Sequence, residues 1–206
     1  MKIEIVVFDG FDEMDAVGPY EVLRNAQTVV EDLDVRLVGA EGSGEVTGSH
    51  GMRVAVDGGL SGDADLVVVP GGGWNDRSPQ GARAEAERGD LPRRLAELHA
   101  GGARLASVCT GGMLLAAAGL LGGRPATTHH GALDDLRASG ADVREDARVV
   151  DDGDVITAGG VTSGIDLALH LVEREWGELL ADGIAREMEF QRDRRVWPQG
   201  EAAQAS

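Results

Sequence analysis

Among 206 residues there is one cysteine, Cys109, and one lysine, Lys2. A single cysteine excludes an internal disulfide and fits a reducing cytoplasm. Nowhere do about 18 apolar residues follow one another, so no membrane span is expected. The opening run, Met1–Phe8, is too short and too mixed for a signal peptide and reads as a first strand, which again points to the cytoplasm. Cations are scarce, with 19 Lys and Arg against 36 Asp and Glu and a net charge of −17. Such a surface argues against nucleic-acid and anionic-membrane partners, which need cationic patches. The acidity fits adaptation to high salt, the favoured reading, or drift in base composition. Neither His-x-x-x-His nor Cys-x-x-Cys spacing occurs, and His129 and His130, read as neighbours on a strand, should point to opposite faces. There is no Walker loop, and Gly71–Gly73 lacks the dinucleotide fingerprint. No metal or organic cofactor is expected.

Glycine is abundant: 31 residues, gathered in pairs and triplets between apolar runs rather than at a fixed period. That pattern suits tight turns in an α/β protein. Strands are predicted at 3–8, 35–40, 66–69, 104–108, 125–128, 149–150 and 155–157, with another around Val143 and a small hairpin over 46–56. Helices are predicted over 15–29, 91–100, 113–121, 132–139, 163–176 and 178–190. Strand runs separated by helices imply βαβ crossovers, hence a mostly parallel central sheet with helices on both faces. One domain is expected over residues 1–197, followed by a frayed tail at 198–206.

In an open parallel sheet, ligands gather at the carboxyl ends of the strands. Three such ends carry chemistry. Cys109 follows the strand 104–108 and precedes a buried helix, so its thiol should feel the helix N-terminus, which favours thiolate. A nucleophile between small residues on a strand-to-helix turn has the geometry of a hydrolase elbow. Asp15, after the first strand, should have its pKa raised beside a thiolate and serve as acid and base, although it reads equally well as a helix cap. Asp9, Asp12 and Glu13 are lower-ranked substitutes. The loop holding Gly72 and Gly73 should offer backbone N–H groups to a developing anion, with Trp74 as a wall. The Thr110 hydroxyl should reach Asp15. His129 or His130, the latter the better candidate, should face the site, although a structural pair is the commoner case.

These stretches resemble the DJ-1/PfpI superfamily of class I glutamine amidotransferase-like proteins, and most closely its isonitrile hydratase branch. The matching segments are Asp15–Val22, Val67–Gly73, Ser107–Met113, Ala118–His129 and Gly159–Asp166, the last containing Val161, taken as a further site residue. The resemblance implies a flavodoxin-like three-layer sandwich, a homodimer and a small-molecule substrate. It makes Cys109 the nucleophile and Asp15 its acid, with adduct-stabilising N–H groups at Gly72 and Thr110. Protease-like and glyoxalase-like branches commonly carry histidine directly after the cysteine; Thr110 stands there instead. The implied reaction converts R–N≡C to an N-substituted formamide through a thioimidate on Cys109. The alternatives are a glyoxalase- or amidase-type cysteine enzyme and a non-catalytic redox or stress sensor.

Overall fold

Short runs of β-branched and other apolar residues, buried on both faces, make the centre of the molecule. Leu66–Val69 is the clearest, with all four side chains out of water. Such strands suit a sheet covered on both sides. A computed structural model describes residues 1–56 and 58–198. All but Pro198 of the predicted tail lies outside the described residues.

In chain order the elements are β1 (Lys2–Val7), α1 (Glu13–Gln27), β2 (Asp34–Gly39), β3 (Gly44–Thr47), β4 (Arg53–Val56), β5 (Leu66–Val69), α2 (Ala82–Arg88) and α3 (Asp90–Ala100). They continue with β6 (Arg104–Ser107), α4 (Gly111–Ala117), β7 (Pro125–Ala126), a 3-10 turn (His130–Ala132), α5 (Leu133–Ala138), β8 (Asp142–Val143) and β9 (Val149–Asp151). The last are β10 (Val155–Ala158), α6 (Ser163–Trp176), α7 (Glu178–Glu187) and β11 (Val196–Trp197). Seven strands form the central sheet in the order β11-β9-β10-β6-β5-β1-β2. Every pairing is parallel except β9 with β10. Helices α1, α6 and α7 pack together on one face, and α2 to α5 on the other. This is the flavodoxin-like three-layer sandwich.

Two details of α1 position the site. The helix begins at Glu13, two residues before the sequence reading, because Asp12 caps it by accepting from the Met14 N–H at 3.1 Å. Asp15 is therefore free of capping duty. Pro19 sits inside the helix and lacks the N–H that would return to the Asp15 carbonyl. It also forms part of a notch: a Cβ on Gly164 of α6 would lie 3.2 Å from the Pro19 ring, and one on Gly18 would lie 3.0 Å from Ile165. These glycines let α1 and α6 approach closely, which brings Asp15 toward the start of α6.

Other boundaries differ for local reasons. Helix α2 was not predicted, because Ala-Arg-Ala-Glu-Ala-Glu-Arg buries only Ala82 and Glu85 and shows no apolar stripe. The cysteine helix ends at Ala117, and Gly119 takes a left-handed φ of +77° beyond it. Strand β7 stops at Ala126, so the histidine pair is not on a strand.

Candidate active site

The strands carrying the three predicted ends, β1, β5 and β6, are neighbours, and their carboxyl ends meet. Cys109 has φ +56°, an unfavourable region for a residue with a side chain. The elbow is pinned from several directions. The Cys109 N–H donates to the Gly159 carbonyl at 2.8 Å, and the Cys109 carbonyl accepts from Thr128 Oγ1 at 2.7 Å. Glycine is required beside it: a Cβ on Gly111 would lie 2.1 Å from the Val69 carbonyl oxygen, and one on Gly71 would lie 2.4 Å from Thr110 Oγ1.

Asp15 is fully buried, and Cys109 is 5% exposed. The other acidic candidates are committed elsewhere. Asp9 accepts from the Thr47 N–H, Asp12 caps α1, and Glu13 holds the 49–52 turn through His50 and Met52. Asp15 Oδ2 accepts from the Gly71 N–H at 2.9 Å, whereas Oδ1 is enclosed with no partner among the described residues. Burial, reinforced by the nearby Asp12 charge, pushes the Asp15 carboxyl up to about 8, so it is neutral at pH 7. Because Oδ2 is occupied as an acceptor, the proton belongs on Oδ1. The Cys109 thiol is close enough to Asp15 to pull its pKa part of the way back down. That contact falls short of a standard hydrogen bond, since Oδ1 remains unpartnered.

The sulfur corrects one expectation. Burial, followed by repulsion from the Asp15 charge, pushes the Cys109 thiol up to about 12, against the lowering effect of the Val161 and Thr110 N–H groups directed at it. Desolvation outweighs the start of a seven-residue helix, so the resting group is a thiol and not the thiolate the sequence suggested. The resting pair is thus S–H beside COOH, with no net charge.

The glycine loop is corrected too. The Gly71 N–H serves Asp15, and the Gly72 N–H donates to Thr110 Oγ1 at 2.9 Å. Gly72 is therefore not a free donor for an adduct, and the Thr110 hydroxyl contacts Gly72, not Asp15. Among the described residues the Gly73 N–H makes no protein hydrogen bond. Trp74 is half-buried and clamped, its Nε1 donating to Asp135 at 2.7 Å and the Arg83 guanidinium stacked over its ring. It ties the loop after β5 to α5.

Both histidines border the 159–160 turn: His130 lines a small cavity with Thr128, Gly159 and Gly160, and His129 reaches Gly160 as well. The His129 ring lies against Gly160, where an added Cβ would be 2.7 Å away, next to Val161. Its Nδ1 accepts from the Gly131 N–H at 3.0 Å, which puts any single ring proton on Nε2. Burial lowers its pKa, so it is neutral. His130 is exposed and stacks on His129 at 4.2 Å between ring centroids, so the two rings share one side and do not point apart. Val161 is the second strained residue here, with φ +42° on a β-branched side chain. Sequence alone carried no signal for Thr128 or for Arg148, which grips the Val161 turn.

The largest cavity described, about 640 Å³, opens near the ends of β1 and β2 beside Asp9, Glu45 and Arg88, and does not include Cys109 or Asp15. No group of three or more metal-ligating side chains occurs among the described residues. No described helix is long and apolar enough to cross a membrane.

Comparison with known proteins agrees with this architecture. An isonitrile hydratase from Pseudomonas putida is 35% identical over 193 residues, covering 92% of this chain and 78% of that one. A deglycase from Pyrococcus abyssi is 30% identical over 184 residues, covering 87% and 99%. The crystal structure of a ThiJ/PfpI family protein from Pseudomonas syringae superposes with a TM-score of 0.81 at 30% identity, covering 93% of this chain and 76% of that one. The pattern of the DJ-1/PfpI family matches residues 1–174, and the chain belongs to that family.

Proposed function

We propose that the protein is a cysteine-dependent hydratase that converts isonitriles to N-substituted formamides, with Cys109 as nucleophile and Asp15 as acid and base. The observation that carries this reading is the enclosed Asp15 carboxyl, held by the Gly71 N–H alone and close to the single thiol of the chain. The likeness to the Pseudomonas putida hydratase supports it.

The chemistry balances without a cofactor. As the sulfur bonds to the terminal carbon of R–N≡C, Asp15 delivers its proton to that carbon and takes up the thiol proton. The product is the thioimidate R–N=CH–S–Cys109. Water then adds across the C=N bond, with Asp15 relaying its protons, to give R–NH–CH(OH)–S–Cys109. Collapse expels the sulfur, the hydroxyl proton returns to it through Asp15, and R–NH–CHO leaves. A neutral thiol paired with a neutral acid is the resting state this cycle needs, so a resting thiolate is not required. The Val161 and Thr110 N–H groups stabilise the sulfur as charge builds on it. The same reading takes a homodimer in the cytoplasm as the working form.

A second reading, a cysteine enzyme acting on small reactive carbonyls, is favoured by the deglycase relative and by the neutral His129 ring beside the Val161 turn. A parallel assay with an aryl isonitrile and methylglyoxal separates the two. The hydratase yields formamide, and Cys109→Ser lowers that yield by at least about 1000-fold while leaving the thermal midpoint within a few degrees. Full hydration by the serine variant would overturn the mechanism. Turnover of methylglyoxal alone would favour the second reading.

A further inference from the structure

The 159–162 turn is tied to the elbow by the Cys109 N–H, which donates to the Gly159 carbonyl at 2.8 Å, and it carries Val161, whose N–H lies near the sulfur and whose φ of +42° is unfavourable for a β-branched side chain. Such a conformation persists only when its surroundings enforce it, and the surroundings here converge on Arg148. The Arg148 carbonyl accepts from the Gly159 N–H at 3.0 Å, on one side of Val161. Its guanidinium donates to Thr162 Oγ1 at 3.0 Å on the other side. Thr162 is the N-cap of α6, a position where a threonine hydroxyl ordinarily accepts from the helix N–H groups; here it makes no such bond. The guanidinium is itself anchored, Nε donating at 2.6 Å to Asp166, whose side chain is 2% exposed. The other Asp166 oxygen accepts from the Asp193 N–H at 2.8 Å, and the Arg148 N–H donates to the Arg195 carbonyl at 3.0 Å.

We propose that Arg148 is a positioning residue for the cysteine site, gripping the 159–162 turn from both ends and so holding the Val161 N–H against Cys109. Arg148 touches neither the sulfur nor a substrate; its effect is transmitted through the backbone of the turn. The inference builds on Cys109 as the reactive group but does not depend on which substrate it attacks.

The test reads the thiol itself. With only one cysteine in the chain, the rate of alkylation by iodoacetamide as a function of pH reports Cys109 alone. Thr162→Val removes the acceptor and leaves the Arg148–Asp166 pair in place. Asp15 and Asp12 face the thiol from α1 and its cap, and His129 stands beside Gly160; none of these is altered. Thr162→Val and Arg148→Met are expected to slow alkylation by about three- to tenfold at a fixed pH, moving the profile to higher pH. Thr162→Ser should restore the parent profile, and the double variant should be no slower than either single one. A Thr162→Val profile superimposed on the parent overturns the proposal, including the case in which Arg148→Met fails to fold. Loss of formamide production with an unchanged alkylation profile would count against the grip as well, whereas a shifted profile in a protein that hydrates no isonitrile leaves it standing and removes the proposed function.

Discussion

Asp15 and Asp166 are both buried carboxylates, and they sit at the starts of two helices that pack against each other. Their surroundings are opposite. Asp166 has an arginine on one oxygen and a backbone N–H on the other. Asp15 has one backbone N–H, no cation, and an oxygen with nothing to bond. A paired buried acid holds structure, and an orphaned one holds a proton at a cost in stability. On the proposed mechanism, this difference is why Asp15 and not Asp166 relays the proton.

The comparison breaks most visibly in activity. Asp15→Asn keeps the shape, and its carbonyl still accepts from Gly71, but it cannot relay a proton. Formamide production should fall by about 10²- to 10⁴-fold, and an Asn variant within threefold of the parent would remove Asp15 from the mechanism. Asp166→Ala should show its effect in stability, because it strands Arg148 and the Asp193 N–H. A loss of about 3 kcal/mol, or roughly 6–12 °C in midpoint, is expected by calorimetry. A midpoint within a degree of the parent would mean that solvent replaces the pair at no cost.

pH sharpens the contrast further. Folding raises the Asp15 pKa from its ordinary 3.8 to about 8. Between those values the folded chain holds a proton that the unfolded chain has released, so stability falls as pH rises through that window. The full stabilisation is present below about pH 4, and the total loss by pH 8 is at most on the order of 5 kcal/mol. Asp15→Asn should flatten the decline, so the variant gains on the parent between pH 5 and pH 8 whatever its offset at pH 4. Parallel stability curves would contradict a protonated Asp15. Salt should have the smallest effect. With a net charge of −17, raising NaCl from 0.1 to 1 M should lift the midpoint by a few degrees through screening of self-repulsion. It should do so equally for the parent and for Asp15→Asn, because the enclosed pair lies beyond the reach of the ions.

Much of the frame was legible in the chain. Apolar runs at 66–69 and 104–108, the first followed by Pro70 and three glycines and the second by Cys109, mark central strands because only a doubly covered sheet accommodates them. The adjacency of β1, β5 and β6 was left open by the chain and is given by the sheet order. What escaped was set by partners distant in sequence or by short-range competition. Helix α2 has no apolar face to reveal it. The histidines left the strand because β7 ends at Ala126, and both rings therefore come to border the turn at Gly160. The Thr110 hydroxyl, matched to Asp15 in the sequence, instead accepts from the Gly72 N–H. The resting protonation of Cys109 was misjudged because local dipole arguments omit burial, which the sequence does not display. Arg148 meets Thr162 and Asp166 across a strand and a turn, with no motif to announce it.

The uncharged resting state of the Cys109–Asp15 pair also bears on what the protein will admit. On the proposed reading, a net charge of −17 favours the approach of an uncharged carbon–nitrogen compound over carboxylates and phosphate esters, which it repels. That discrimination acts at long range, ahead of any contact with Cys109 or Asp15, and weakens as salt screens it.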